Sequence, residues 1–194
     1  MKLGREEKKR QTKLAITNAA FKLFSENGYE STKVEDIVKL AGVSKGTFFN
    51  YFPTKEAVIE DFERISIYSE AEKLMNITSP VVPKLLSSLI NIVHNLNYTR
   101  SLRRATLMAT LSSANNLNNH IDNMNNLRAL LIPIFKHGQE TGEFTQKLSP
   151  ETLADLTIQM FIGVLTHWCL GGGEDDLITQ LMMSFDVFFK GISS

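Results

Sequence analysis

One cysteine, Cys169, is all the sequence offers, so no disulfide can close within the chain and a reducing interior suits it. Net charge is missing as well. The 21 Lys and Arg balance the 21 Asp and Glu, so overall electrostatics name no polyanionic partner. No apolar run approaches the roughly 18–20 residues that span a bilayer. MKLGREEKKR at the N-terminus has no apolar segment after its charges, which argues against a signal peptide. A cytoplasmic location is the expectation. Catalytic patterns are also lacking: His94, His120, His137 and His167 show no metal-ligand spacing, and Cys169 sits beside Trp168 in an apolar stretch. Gly171 to Gly173 follow a helix signal rather than a strand, so they make no phosphate loop. Neither catalysis, a metal nor a cofactor is expected.

What is present is hydrophobic periodicity and a hidden charge asymmetry. At 194 residues and 43% hydrophobic, the chain suits one or two ordinary globular domains. Residues 1–55 carry a net charge of +5 and residues 56–194 a net charge of −5. A nucleic-acid-binding head on a neutral body would look like this; so would a lysine-rich solvated helix.

Strand signals are nearly absent, and about nine helices are expected in an all-α fold. Ile16, Ala20, Leu23 and Phe24 recur at helical spacing until Asn27-Gly28 stops them. Thr32 and Glu35 form a capping-box pattern ahead of Val34, Ile37, Val38 and Ala41. Gly42 ends that helix, Ser44 caps a third, and Pro53 closes it. A long helix from Thr54 carries the stripe Val58, Phe62, Ile65 and Ser69 and fades near Asn76. Another holds Leu85, Leu86, Leu89, Ile90 and Val93, and residues 100–111 read as a further one. The asparagine-rich stretch 115–126 reads as a loop leading into a helix that bends at Pro133 and stops at Gly142. Ser149-Pro150-Glu151 and Asp175-Asp176 open the last two helices.

Two short helices joined by Ala41-Gly42-Val43-Ser44 have the dimensions of a helix-turn-helix unit. In the second, Phe48 and Phe52 share a face and anchor it, while Thr47, Asn50 and Tyr51 lie opposite with Lys45 and Phe49 at the edges. Thr32-Lys33, Ser44-Lys45 and Thr54-Lys55 each set a capping hydroxyl before a lysine at a helix start. A lysine there opposes the helix dipole, which makes sense where anions dock. Chance on a lysine-rich surface is the alternative.

Ala19-Ala20, Phe24, Gly28-Tyr29, Thr32, Ile37, Ala41 through Thr47, Tyr51-Phe52 and Lys55-Glu56 together resemble the DNA-binding domain of the TetR family of bacterial regulators. The resemblance covers about residues 9–69 and implies a DNA-binding head there, with 70–194 as a ligand-binding and dimerisation domain. It implies phosphate contacts from Thr32, Lys33 and Lys55, and places Ser44, Lys45, Gly46 and Thr47 at the groove. Asn50 and Tyr51 would read or position, and Asn50's amide suits adenine. Where the family commonly has a tyrosine whose hydroxyl reaches a phosphate, this chain has Phe49, which can touch only methyl or sugar carbons. Beyond residue 69 two faint echoes remain, Gly138-Gln139…Gly142-Glu143-Phe144 and Gly163…Trp168…Gly171-Gly172.

The resemblance also implies an effector pocket, with Phe62, Ile65, Tyr68, His94, Met108, Phe135 and Trp168 as candidates, though each suits a plain core. No charged residue stands out among them, so a neutral or cationic, apolar effector is expected. The wide stripes of the last two helices suit either a core or an oligomer, and the resemblance implies a homodimer through Met160, Val164, Leu181, Phe185, Phe188 and Phe189. The function implied is a repressor released from a palindromic double-stranded DNA operator by a small hydrophobic effector. The rival is a chromosome-binding protein acting through a protein partner without a small ligand.

Overall fold

The computed structural model describes residues 4–75, 78, 80–96, 99–171 and 176–194. Among them the chain forms nine helices: α1 (Arg5–Asn27), α2 (Val34–Ala41), α3 (Lys45–Tyr51), α4 (Lys55–Lys73), α5 (Val81–Leu96), α6 (Arg100–Leu111), α7 (Ala114–Glu140), α8 (Pro150–Cys169) and α9 (Leu177–Ile192). No helix among the described residues is long and apolar enough to cross a membrane. The chain divides into two compact units within α4, a head ending at Glu63 and a body beginning at Arg64.

The head is built by its stops and caps. Gly28 and Gly42 take positive φ (81° and 68°), which only glycine adopts cheaply, and so end α1 and α2. Ser44 Oγ accepts from Thr47 N–H at 3.0 Å, and Thr54 Oγ1 accepts from Ala57 N–H at 3.2 Å, so both hydroxyls cap as their positions predict. Thr32 does not. It lies one residue too early, and the Asp36 carboxylate takes the Lys33 N–H at 3.2 Å instead of Glu35 closing a box on Thr32. Ile16, Ala20, Phe24, Ile37, Phe48, Phe52, Val58 and Ile59 form the core. Phe21 packs against Phe62 with ring centroids 4.0 Å apart.

In the body, α8 packs against α6, α7 and α9, and α5 against α9. The stripe expected for α4 holds at Val58, which is buried, and departs farther along: Ser66, Glu70 and Ala71, with Leu74 just past the helix, are covered, whereas Ile65 and Ser69 face outward. The asparagine-rich stretch is helix throughout. Ser113 caps α7 through Asn116 N–H at 3.1 Å, and Asn116 Nδ2 reaches back to Ala109 O at 2.9 Å. With its first turn satisfied and Leu127, Leu131, Ile134 and Phe135 buried farther along, the helix overrides the weak propensity of asparagine. Ser149 caps α8, and Asp176 caps α9 with Thr179 N–H at 3.1 Å; Asp175, Gly172, Gly173 and Asn76 lie outside the described residues.

The loop after α7 gives one faint echo a physical basis. Gly142 has φ 76°, and Gln139 Nε2 donates to Thr145 O at 2.6 Å and Leu148 O at 2.7 Å. The Glu143 carboxylate accepts from Val81 N–H (2.7 and 2.8 Å) and Val82 N–H (2.8 Å), capping α5 from a distant part of the chain. Phe144 is fully buried beside Phe135 and Phe189. Its ring fills the space beside Gly138, where a Cβ would lie 2.3 Å from it.

Candidate functional site

α3 is fixed on one side and open on the other. Phe48 and Phe52 are buried as their spacing predicts, with ring centroids 6.0 Å apart. Full burial of each stabilises the head by about 1.5–3 kcal/mol. Opposite them Lys45, Gly46 and Asn50 are exposed, Thr47 and Tyr51 are half-buried, and Phe49 is 46% exposed. Phe49 meets the Phe48 ring edge-on at 5.3 Å, so its outer side is an apolar surface. The Ser44 and Thr47 hydroxyls lie 2.8 Å apart at the start of the helix. A Cβ on Gly46 would meet only Ser44 Oγ, at 3.8 Å. Nothing inside the molecule requires glycine there; the open space suits close approach from outside.

The charges are less free than the sequence suggests. Lys45 Nζ pairs with Glu35 Oε1 at 2.5 Å between two exposed side chains. The hydrogen bond from Lys45, above all, holds the Glu35 carboxyl below its usual range. Solvent screens an exposed pair of this kind strongly, so a phosphate can take over the ammonium at small cost. Lys33 is exposed.

Two of the ten expected contacts turn inward. Thr32 is buried, and its hydroxyl serves Gly28 O at 2.8 Å and Leu23 O at 3.2 Å, tying the turn to the end of α1. Lys55 Nζ donates to Tyr29 O at 2.8 Å and Thr32 O at 3.0 Å and lies 3.9 Å from the centre of the Tyr29 ring. It braces the α1–α2 turn instead of standing at the surface as a bare phosphate contact. Beside it the Tyr29 hydroxyl donates to Glu56 Oε1. Burial, then Glu56, pushes the Tyr29 hydroxyl pKa far up. Burial alone would raise the Glu56 carboxyl. The bond from Tyr29, its own backbone N–H, Thr54 and the Lys55 charge together hold it below its usual range.

The body encloses an apolar cavity of about 60 Å³, and none of the seven expected pocket residues lines it. Ile67 and Ala71 of α4 and Leu74 just past its end form one wall, with Leu85 and Ile92 of α5, Leu131 of α7, Phe161 of α8 and Phe185 and Phe189 of α9 among the others. Phe62 is half-buried against Phe21 in the head, and Ile65 and His94 face outward. Met108 is 72% exposed. Phe135 packs against Phe144, and Trp168 is buried with the Arg100 guanidinium 5.5 Å from its ring centre. Tyr68 donates to Asn123 O at 2.7 Å in a shallow surface dent. One charged residue does stand in the cavity wall, Glu70. Its signal lay in the sequence as an acid inside the helical stripe Ile67, Glu70, Ala71, Leu74.

The expected dimer residues also divide. Leu181, Phe185 and Phe189 are buried within one chain, so they cannot be the free surface; Phe188 is half-buried. Met160 and Val164 instead line an open groove between α8 and α9, with Gly163 and Met183, and Val187 stands 71% exposed farther along α9. A Cβ on Gly163 would meet nothing within 4 Å.

Residues 16–62 match the profile described as bacterial regulatory proteins, tetR family. Over 179 residues, 84% of this chain and 85% of the other, the sequence is 26% identical to the HTH-type transcriptional repressor DhaR of Mycobacterium sp. (strain GP1). It is 24% identical over 164 residues to the HTH-type transcriptional regulator UidR of Escherichia coli (strain K12), covering 79% of this chain and 80% of that one. Among solved structures, Thermus thermophilus FadR, a TetR-family transcriptional repressor in complex with lauroyl-CoA, superposes with a TM-score of 0.72 at 23% identity. The match covers 94% of this chain and 95% of that one, a likeness of fold.

Proposed function

Since the chain is a DNA-binding transcriptional regulator of the tetR family, we propose that it is a homodimeric repressor. A small hydrophobic molecule entering the body cavity releases it from a palindromic operator. The observation that carries this is α3 itself, anchored by Phe48 and Phe52 with Gly46, Thr47, Phe49 and Asn50 turned outward. Ser44, Lys45 and Lys33 supply hydroxyl and charge for phosphates around it, Tyr51 positions the far end of the helix, and Asn50 reads a base edge. Two copies joined through the α8–α9 groove would set their α3 helices in successive major grooves, about 34 Å apart. α4 carries residues of both units, so a ligand that moves Ile67, Ala71 and Leu74 acts on a helix that begins in the head. The coupling needed is about 1–3 kcal/mol, and DNA must weaken the ligand by the same factor.

The test is genome-wide binding followed by titration of the site found. A few palindromic sites near one operon are expected, and Asn50→Ala should lose about 1–3 kcal/mol per half-site there while keeping non-specific affinity. Dozens of dispersed sites, or full discrimination by the variant, would overturn the reading.

A further inference from the structure

Among the described residues Glu70 is the one ionisable side chain in the wall of the body cavity, and it is 2% exposed. Its Oε2 accepts from Asn91 Nδ2 at 3.2 Å, and its Oε1 takes the ammonium of Lys73, one turn along α4. The side chain of Lys73 is 61% exposed, so its charge is largely hydrated and screened. Asn91 brings no charge. A carboxylate in an apolar wall is therefore partnered by one neutral amide and one cation that reaches in from water. The remaining polar wall residues are Ser88 and Thr157, and the Thr157 hydroxyl donates to Leu153 O at 2.8 Å. The surface that the cavity now shows a guest is apolar, and the one negative charge in its wall lies behind Lys73 and Asn91 until a guest displaces the lysine.

The sign of that charge selects the guest. An anionic head group drawn into the cavity would face Glu70 as a like charge in low dielectric, which is strongly unfavourable. An uncharged hydrocarbon would gain the apolar wall and nothing from the carboxylate. An ammonium would gain both, because its N–H groups can bond Glu70 where the Lys73 ammonium now sits, and Lys73 can return to water at little loss.

We propose that the cavity binds an apolar amine, its ammonium on Glu70 and its hydrocarbon against Ile67, Leu74 and Leu89. This rests on the reading of the cavity as the effector site and names the effector's class. Size adds a mechanism. A cavity of about 150 Å³ holds benzene, so one of about 60 Å³ admits only the first few atoms before the walls move. Each added methylene then presses on the same stretch of α4 that carries Glu70.

The experiment compares n-octylamine, n-octanol and n-octanoate at neutral pH on the full chain, by calorimetry and by thermal shift. Octylamine should bind about tenfold or more tighter than octanol, and octanoate more weakly than either. Glu70→Gln should bring octylamine down to octanol. Lys73→Met, checked for its fold by circular dichroism, should strengthen octylamine several-fold by removing the competing cation. Octanoate binding as tightly as octylamine, or an amine preference untouched by both variants, overturns the proposal. Operator release separates the two readings. An amine that binds through Glu70 yet leaves operator DNA bound refutes the effector role while the amine site stands. Release by octanoate or an acyl-CoA, with no amine binding, refutes the amine and keeps the effector site.

Discussion

Glu35 and Lys45 show how single side chains tune a surface that the sequence presents as simply basic. Lys45 is committed to Glu35 at 2.5 Å, so phosphate binding must first break that pair. Glu35→Gln should therefore raise affinity for operator and random DNA alike by about two- to fivefold, the equivalent of an exposed pair. A filter-binding titration that finds unchanged or weaker affinity would show that Lys45 does not meet a phosphate. Tyr29 and Glu56 set the head's pH limits. The raised Tyr29 group adds stability that is complete below its ordinary value of 10.0 and is lost as pH climbs above it. The lowered Glu56 group adds stability that is present above the ordinary carboxylate range and lost as pH falls through its depressed value. Tyr29→Phe should flatten the alkaline fall of the melting curve. It should also shift the acid fall to higher pH, because Glu56 then keeps its own backbone N–H, Thr54 and Lys55 against burial but loses the bond from Tyr29; an unchanged pH profile would refute the pairing. Thr32 and Lys55 were legible as the chemistry of a helix start only in residue type. Their inward turn depends on where the carbonyls of Leu23, Gly28 and Tyr29 end up, which no local pattern contains.

At the scale of the element, helix starts and stops were the most legible feature. Gly28, Gly42, Ser44, Thr54, Ser149 and Asp176 act as their residue types predict, because capping is a local interaction between near neighbours. The buried stripe of α4 differs from the expected one because its sequence offers more than one apolar register, and tertiary packing chose Glu70 and Ala71, with Leu74 just past the helix end. At α7, too, packing farther along the helix outweighs local asparagine content. The loop after α7 makes the sharpest prediction at this scale. Alanine at position 138 would gain roughly 1 kcal/mol of helix propensity. Its Cβ, 2.3 Å from the buried Phe144 ring, would also cost about 1–3 kcal/mol of overpacking, and overpacking wins. Gly138→Ala should thus melt several degrees lower by calorimetry; a variant as stable as the parent would mean that the Phe144 ring moves freely.

Across the whole molecule the all-α architecture and the DNA-binding head could be read from the chain, whereas the interior of the body could not. Which face of α9 is core and which is surface depends on five helices packing together, and the stripe Leu181, Phe185, Phe189 turned out to be core. The two ideas part experimentally. Val187→Glu, on a side chain 71% exposed, should leave the chain folded but monomeric, with operator affinity reduced to that of a single head. Phe185→Glu should instead unfold the body, since it buries an unpaired carboxylate beside the cavity. Sedimentation and circular dichroism of both variants decide it, and a Val187→Glu dimer would rule out the exposed side of α9 at Val187 as part of the interface. Cys169, the single thiol of the chain, is fully buried at the end of α8, its sulfur bonded to Thr166 O. A folded molecule is therefore silent to maleimide. A fluorophore or spin label can be attached at one added surface cysteine with no native site to remove, while slow reaction of the native thiol clocks how often the body opens.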